Sequence, residues 1–169
     1  MKKMFIFLLQ LITVASFAQK TPGYLSIRGG TAFVNGMPRV IANISFGLSP
    51  KRTVGVGAGV GVVDLEKTYI PLTVDISYFG KPGKISPIVI GSVGYGVYKE
   101  VEYSIITKGG FTGSINAGIA IPSKISKLII TGGYSIYSFT GGQNIQTSSY
   151  SYKAKSKSEV FTATIGVKI

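Results

Sequence analysis

The sequence predicts an all-β fold, an eight-stranded antiparallel up-and-down barrel that crosses a membrane with its strands. Three observations carry that expectation. Over residues 54–62 the chain alternates strictly, with apolar side chains at the even positions and glycine at 55, 57, 59 and 61, which is the two-residue period of a strand. Seven further segments repeat the alternation in weaker form between turn residues. After the first 18 residues, Gly, Ser, Thr or Asn interrupts every apolar stretch well short of the roughly 20 residues a spanning helix needs.

The opening segment is of a different kind. Lys2 and Lys3 precede a mostly apolar run over residues 4–15, and Ser16-Phe17-Ala18 stands before Gln19. A basic start, an apolar centre and a small-x-small site make a cleavable secretion signal. Residues 1–18 are therefore expected to be a signal peptide and residues 19–169 a single barrel domain. A membrane anchor is the other reading of the apolar run, which is shorter than a spanning helix.

Strands are expected at residues 24–33, 39–48, 53–63, 69–79, 85–98, 111–122, 128–138 and 160–169, where apolar residues alternate between turn signals. Each is close to the roughly 9 to 11 residues that a tilted strand uses to cross the hydrocarbon layer. The connections at 49–52, 80–84 and 123–127 are short. Those at 34–38, 64–68, 99–110 and 139–159 fall between them, and the last two are long. Membrane barrels keep short turns in the periplasm and longer loops outside, so both chain ends are expected on the periplasmic side.

Each strand has two unlike faces. Val40, Ala42, Ile44, Phe46 and Leu48 form one apolar row, and Ile70, Leu72, Val74, Ile76 and Tyr78 another; Phe161, Ala163, Ile165, Val167 and Ile169 form a third. The opposite rows are small and polar, such as Asn43-Ser45-Gly47, Thr73-Asp75-Ser77 and Thr162-Thr164-Gly166. In a membrane barrel the first set meets lipid and the second lines the lumen. A soluble, lipocalin-like ligand-binding barrel would reverse the faces, but water-facing strands usually carry Lys, Glu, Gln and Arg. Phe33, Tyr95, Phe111 and Phe161 near the outer ends, with Phe46 and Tyr78 near the inner ends, suit aromatic girdles.

The few charges within strands mark a candidate site. Arg28 and Asp75 fall at similar depth on the inward rows of the first and fourth strands, where an isolated charge would be costly, so they are expected to pair. Asn43 and Asn116 are candidates to complete a polar network in the lumen. Tyr24 and Arg28 are expected to fold over the glycine strip. The alternative is that the charges line a narrow passive channel, although eight strands leave an interior only wide enough to be filled by side chains.

Composition removes several other activities. The chain has no His and no Cys, so it offers no Ser-His base, no thiolate metal site and no disulfide. No catalytic residue, metal site or cofactor is expected. The acid pairs Asp64 with Glu66 and Glu100 with Glu102 lie in expected loops and read as solvated charges. The glycines of residues 55–61 lack the Gly-x-Gly-x-x-Gly spacing of a phosphate loop. A formal charge of +12 suggests anionic neighbours, and nucleic acid is not expected after export. Tyr150, Tyr152, Lys153, Lys155 and Lys157 form a basic segment whose lysines share one face if the last strand continues past the membrane. It is a candidate extracellular site for lipopolysaccharide phosphates or a protein partner. Val101, Tyr103, Ile105 and Ile106 form an apolar patch in the third outer loop.

On these features the chain resembles the small eight-stranded outer-membrane barrels, the group that includes the OmpA transmembrane domain and the OmpX-like proteins. The resemblance covers residues 19–169 as a pattern, and its last strand, Phe161-x-Ala163-x-Ile165-x-Val167-x-Ile169, is similar to the terminal strand read by the barrel-insertion machinery. It implies a non-enzymatic cell-envelope protein in the outer membrane of a Gram-negative bacterium, with lipid and that machinery as partners and a structural or interaction role.

Overall fold

The computed structural model describes residues 22–51, 53–65, 68–81, 84–97, 99–102, 105–144 and 151–169. Its strands are β1 (Gly23–Val34), β2 (Met37–Lys51), β3 (Val54–Asp64), β4 (Thr68–Phe79), β5 (Ser86–Val97), β6 (Lys99–Glu102), β7 (Ile105–Pro122), β8 (Lys127–Asn144) and β9 (Ser151–Lys168). Every neighbour is antiparallel, β1 pairs with β9, and β5 pairs with β7, so the sheet closes on itself. The short β6 pairs with β7 beyond the end of β5. Together β5 and β6 make one stave of an eight-staved, up-and-down barrel.

The strand ends correct the expected connections. Residues 34–38 do not form a loop, because Val34 already pairs with Met37 and the turn is Asn35-Gly36 alone, with φ of 49° and 79°. Two successive positive φ values define the hairpin turn whose twist matches the flanking strands, which Asn and Gly tolerate best. The expected long loops are likewise strands for most of their length. β6 and the start of β7 form one ladder out to Glu102 and Ile105, and β8 with β9 another out to Asn144 and Ser151. Lys alternates with Ala or Ser over residues 153–158, a two-residue period that serves a protruding hairpin as well as a spanning strand.

The barrel therefore has a terminal end, where β1 starts, β9 stops and the β2–β3, β4–β5 and β7–β8 connections lie, and a hairpin end. Side chains alternate between an apolar outside and a filled inside, as expected from the paired rows. Outward residues such as Val40, Ile76 and Phe161 stay exposed, whereas Ser26, Ser45, Asp75, Thr131 and Thr162 are buried. The six girdle aromatics all point outward and stay exposed. Small barrels bend their strands sharply, and inward glycines let them. At Gly94 and Gly118 a Cβ would stand 1.9 Å from the carbonyl oxygens of Leu72 and Ile130 on the neighbouring strands.

Inside, the lumen is stacked in three layers. At the hairpin end Ala32, Val63, Tyr69, Tyr137 and Val160 form an apolar cluster, with Val34, Ile41, Leu65 and Phe139 against it. At the terminal end Phe79, Ile88, Ile90, Ala120 and Ile129 form a second. Between them lies the polar layer.

Candidate functional site

Strand period brings the polar layer together, because Arg28 on β1, Asn43 on β2 and Asp75 on β4 all occupy inward positions at mid-depth. Arg28 Nη2 donates to Asn43 Oδ1 at 3.0 Å and lies 3.6 Å from Asp75 Oδ2, with both side chains buried. Thr73 Oγ1 donates to Asp75 Oδ1 at 2.8 Å. Asn116 does not join this group. Its Oδ1 accepts from Thr162 at 2.9 Å and its Nδ2 donates to Ser114 at 3.3 Å, while Thr131 and Thr164 share a hydrogen bond of 2.7 Å nearby. The layer is thus an ion pair on one wall and a hydroxyl-amide net on the other.

A cavity of about 50 Å³ separates the two walls, lined among others by Arg28, Asn43, Thr73, Asn116, Thr162 and Thr164. That volume suits a few water molecules and excludes an organic solute. Arg28 Nε and Asp75 Oδ2 have no protein hydrogen-bond partner. The apolar clusters cover the layer above and below, so an ion would have to shed its hydration to pass.

The glycine strip of β3 makes room for this interior. A Cβ on Gly57 would stand 2.5 Å from the Tyr24 hydroxyl, and one on Gly59 would stand 2.9 Å from Thr73 Oγ1 and 3.1 Å from Asp75 Oδ2. Tyr24 lies over the strip as expected. The side chains nearest Gly59 and Gly61 are those of Thr73, Asp75, Ser45, Pro71 and Asn43.

At the hairpin end, the β8–β9 ladder carries the chain past the exposed apolar rows. Lys153, Lys155, Lys157 and Glu159 take alternate positions of β9, in phase with Phe161. Lys157 Nζ lies 2.5 Å from Glu159 Oε1, and the Tyr134 hydroxyl also donates to Glu159. Lys157 first, and Tyr134 with it, hold the exposed Glu159 carboxyl below its ordinary range. Tyr150 lies outside the described residues, as do the side chains of Tyr152, Lys153 and Lys155 and the apolar patch of Val101, Tyr103, Ile105 and Ile106.

Sequence reasoning passed over the tyrosine pair that fixes the base of the third hairpin. β7 shifts register between Gly109 and Thr112, freeing carbonyls that Tyr95 and Tyr69 bind at 2.7 Å and 3.2 Å. Tyr95 reaches from outside the wall and Tyr69 from inside, where a Gly96 Cβ would stand 1.8 Å from its ring. The adjacent Gly109-Gly110 was the available signal for a bulge.

Apolar exterior, polar lumen and closed up-and-down topology define an eight-stranded β-barrel of the kind found in small outer-membrane proteins. No protein-family profile matches the sequence, and no curated protein matches it. Two solved structures share the fold. The N-terminal β-barrel domain of Pseudomonas aeruginosa OprF is 13% identical, with 88% of this chain and 98% of that domain covered at a TM-score of 0.54. The outer membrane protein AlkL, determined in DMPC lipid bilayers, is 11% identical, with 86% and 88% covered at a TM-score of 0.53. At these identities the likeness is one of fold.

Proposed function

We propose that the protein is an exported, non-enzymatic outer-membrane β-barrel with a structural or interaction role, which presents the hairpin end to the outside. The observation that carries this reading is the inversion of a soluble protein's faces. Leu72, Val74 and Ile76 point out at exposures of 49%, 53% and 59%, while Arg28 and Asp75 are buried. An apolar belt of this extent around a whole barrel calls for acyl chains rather than water. Residues 1–18 are the signal that delivers it, and the short turns face the periplasm.

The stacked apolar layers favour a closed barrel over a channel. The basic β9 segment is the candidate contact for lipopolysaccharide phosphates or an acidic partner, since it continues the membrane-facing register directly above Phe161. Electrophoresis of detergent-extracted protein with and without boiling tests the barrel, with a heat-dependent mobility shift expected. Recovery of the exported chain as a soluble periplasmic species would overturn the reading. Planar-bilayer recordings test closure: silence is expected, and steady unitary currents would replace the closed barrel with the channel.

A further inference from the structure

The terminal end carries a charge distribution unlike the rest of the molecule. Lys51 ends β2 and Arg52 follows it in sequence, Lys81 and Lys84 fall between β4 and β5, Lys124 falls between β7 and β8, and Lys127 and Lys168 stand at the terminal ends of β8 and β9. No Asp or Glu accompanies them. Asp64, Glu100, Glu102 and Glu159 belong to the hairpin end, Glu66 follows Asp64 in sequence, and Asp75 is engaged with Arg28 in the lumen.

Two of these lysines converge on the barrel axis. Lys127 and Lys168 are register partners across β8 and β9 and share the Phe79 ring, at 4.6 Å and 4.1 Å from its centroid. Lys168 Nζ also lies 3.7 Å over the Tyr24 ring, in space left by Gly55, whose Cβ would stand 3.1 Å from it. Lys168 is only 8% exposed, and neither lysine pairs with an acid among the described residues. Opposed like charges over an aromatic floor repel each other and lack a counter-ion. The exposed Lys81, Lys84 and Lys124 of the surrounding turns add to the same positive field.

We propose that this mouth is a docking site for an acidic peptide segment of a periplasmic partner protein, a proposal that rests on the outer-membrane reading for its sidedness. Lipid headgroups pack outside the rim and cannot approach a pair turned toward the axis. The cations come from separate strand ends and connections around the circumference, so a flexible chain with several carboxylates can engage the pair and the ring together, as one small anion cannot. Phe79 and the apolar layer behind it block onward passage, so the mouth holds its ligand and does not conduct it.

The test uses mature protein refolded into phosphatidylcholine nanodiscs, with both faces accessible, and a fluorescent octaglutamate peptide as probe. Saturable, salt-sensitive binding is expected, weakened about tenfold by the double change Lys127→Gln and Lys168→Gln and preserved by Lys127→Arg with Lys168→Arg. Arg39→Gln, at the other end, removes a charge already paired with Asp64 and should leave it unchanged. Absence of peptide binding, equal weakening by Arg39→Gln, or preference for phosphatidylglycerol vesicles over the peptide would overturn the proposal. A heat-modifiability check on the same preparations separates the two readings: a folded but peptide-silent barrel sinks the docking site alone, and a chain that never inserts sinks both.

Discussion

The two mouths of the barrel are closed by the same device and charged by opposite rules. Each has an apolar layer with an aromatic at its centre, Tyr69 at the hairpin end and Phe79 at the terminal end. At the hairpin end cations find acids: Arg39 lies 3.7 Å from Asp64, and Lys157 lies 2.5 Å from Glu159. At the terminal end, among the described residues, Lys127 and Lys168 find only rings. Closure is thus a matter of packing common to both ends, whereas charge is set separately at each and is free to serve recognition.

Exchanging the two central aromatics for alanine tests this most severely. Phe79→Ala and Tyr69→Ala should each cost about 3–5 kcal/mol of stability by opening a cavity, read from urea unfolding by loss of the heat-dependent shift. Phe79→Ala also strips two ammoniums of their shared ring, so a further Lys127→Gln should restore part of its loss. The same change added to Tyr69→Ala should restore nothing, and equal behaviour in both backgrounds would break the contrast.

The polar layer that both plugs rest on comes next. Arg28→Ala leaves Asp75 buried without its cation and should cost about 3 kcal/mol. The exchange Arg28→Asp with Asp75→Arg should recover part of that, and equal loss in both would show that the charges do not act as a pair. A smaller effect, confined to the hairpin end, is expected for Gly36→Ala, about 1 kcal/mol, because a side chain at φ 79° is strained. Among the described residues no terminal-end connection contains a positive φ.

The smallest effect concerns Glu159. Because its carboxyl is held low, whatever it contributes is present above the ordinary glutamate value of about 4.3 and fades only as the pH falls through the lower folded value. An NMR titration should place its midpoint below that reference. Lys157→Gln should return the midpoint toward the reference, which a carboxyl indifferent to its neighbours would not do.

What could be read beforehand follows the periodicity. Alternation with a period of two assigns a side chain's face unambiguously, so the inward placement of Arg28, Asn43, Asp75 and Asn116 was legible from residue spacing. Their grouping was not, because it depends on the stagger between strands, which puts Asn116 with Thr162 and leaves Asn43 with Arg28. Strand ends were misread where loops were inferred from polar composition. Asn35-Gly36 is a strong hairpin signal, and the Ser-Tyr-Ser-Tyr-Lys alternation from Ser149 onward already had a strand's rhythm. The cationic terminal mouth was also within reach of the sequence. A net charge summed over the whole chain hides it, because the acids of the hairpin end do not offset the lysines of the terminal end.

The seam where β1 meets β9 carries one last consequence. Leu25 and Ile169 exchange backbone hydrogen bonds at 3.0 Å and 2.9 Å across almost the whole length of the polypeptide. Until those distant segments zip, the unfinished sheet shows two sticky borders, each able to recruit another chain. Closure at this seam hides both borders, so the final stitch is also the protection against aggregation.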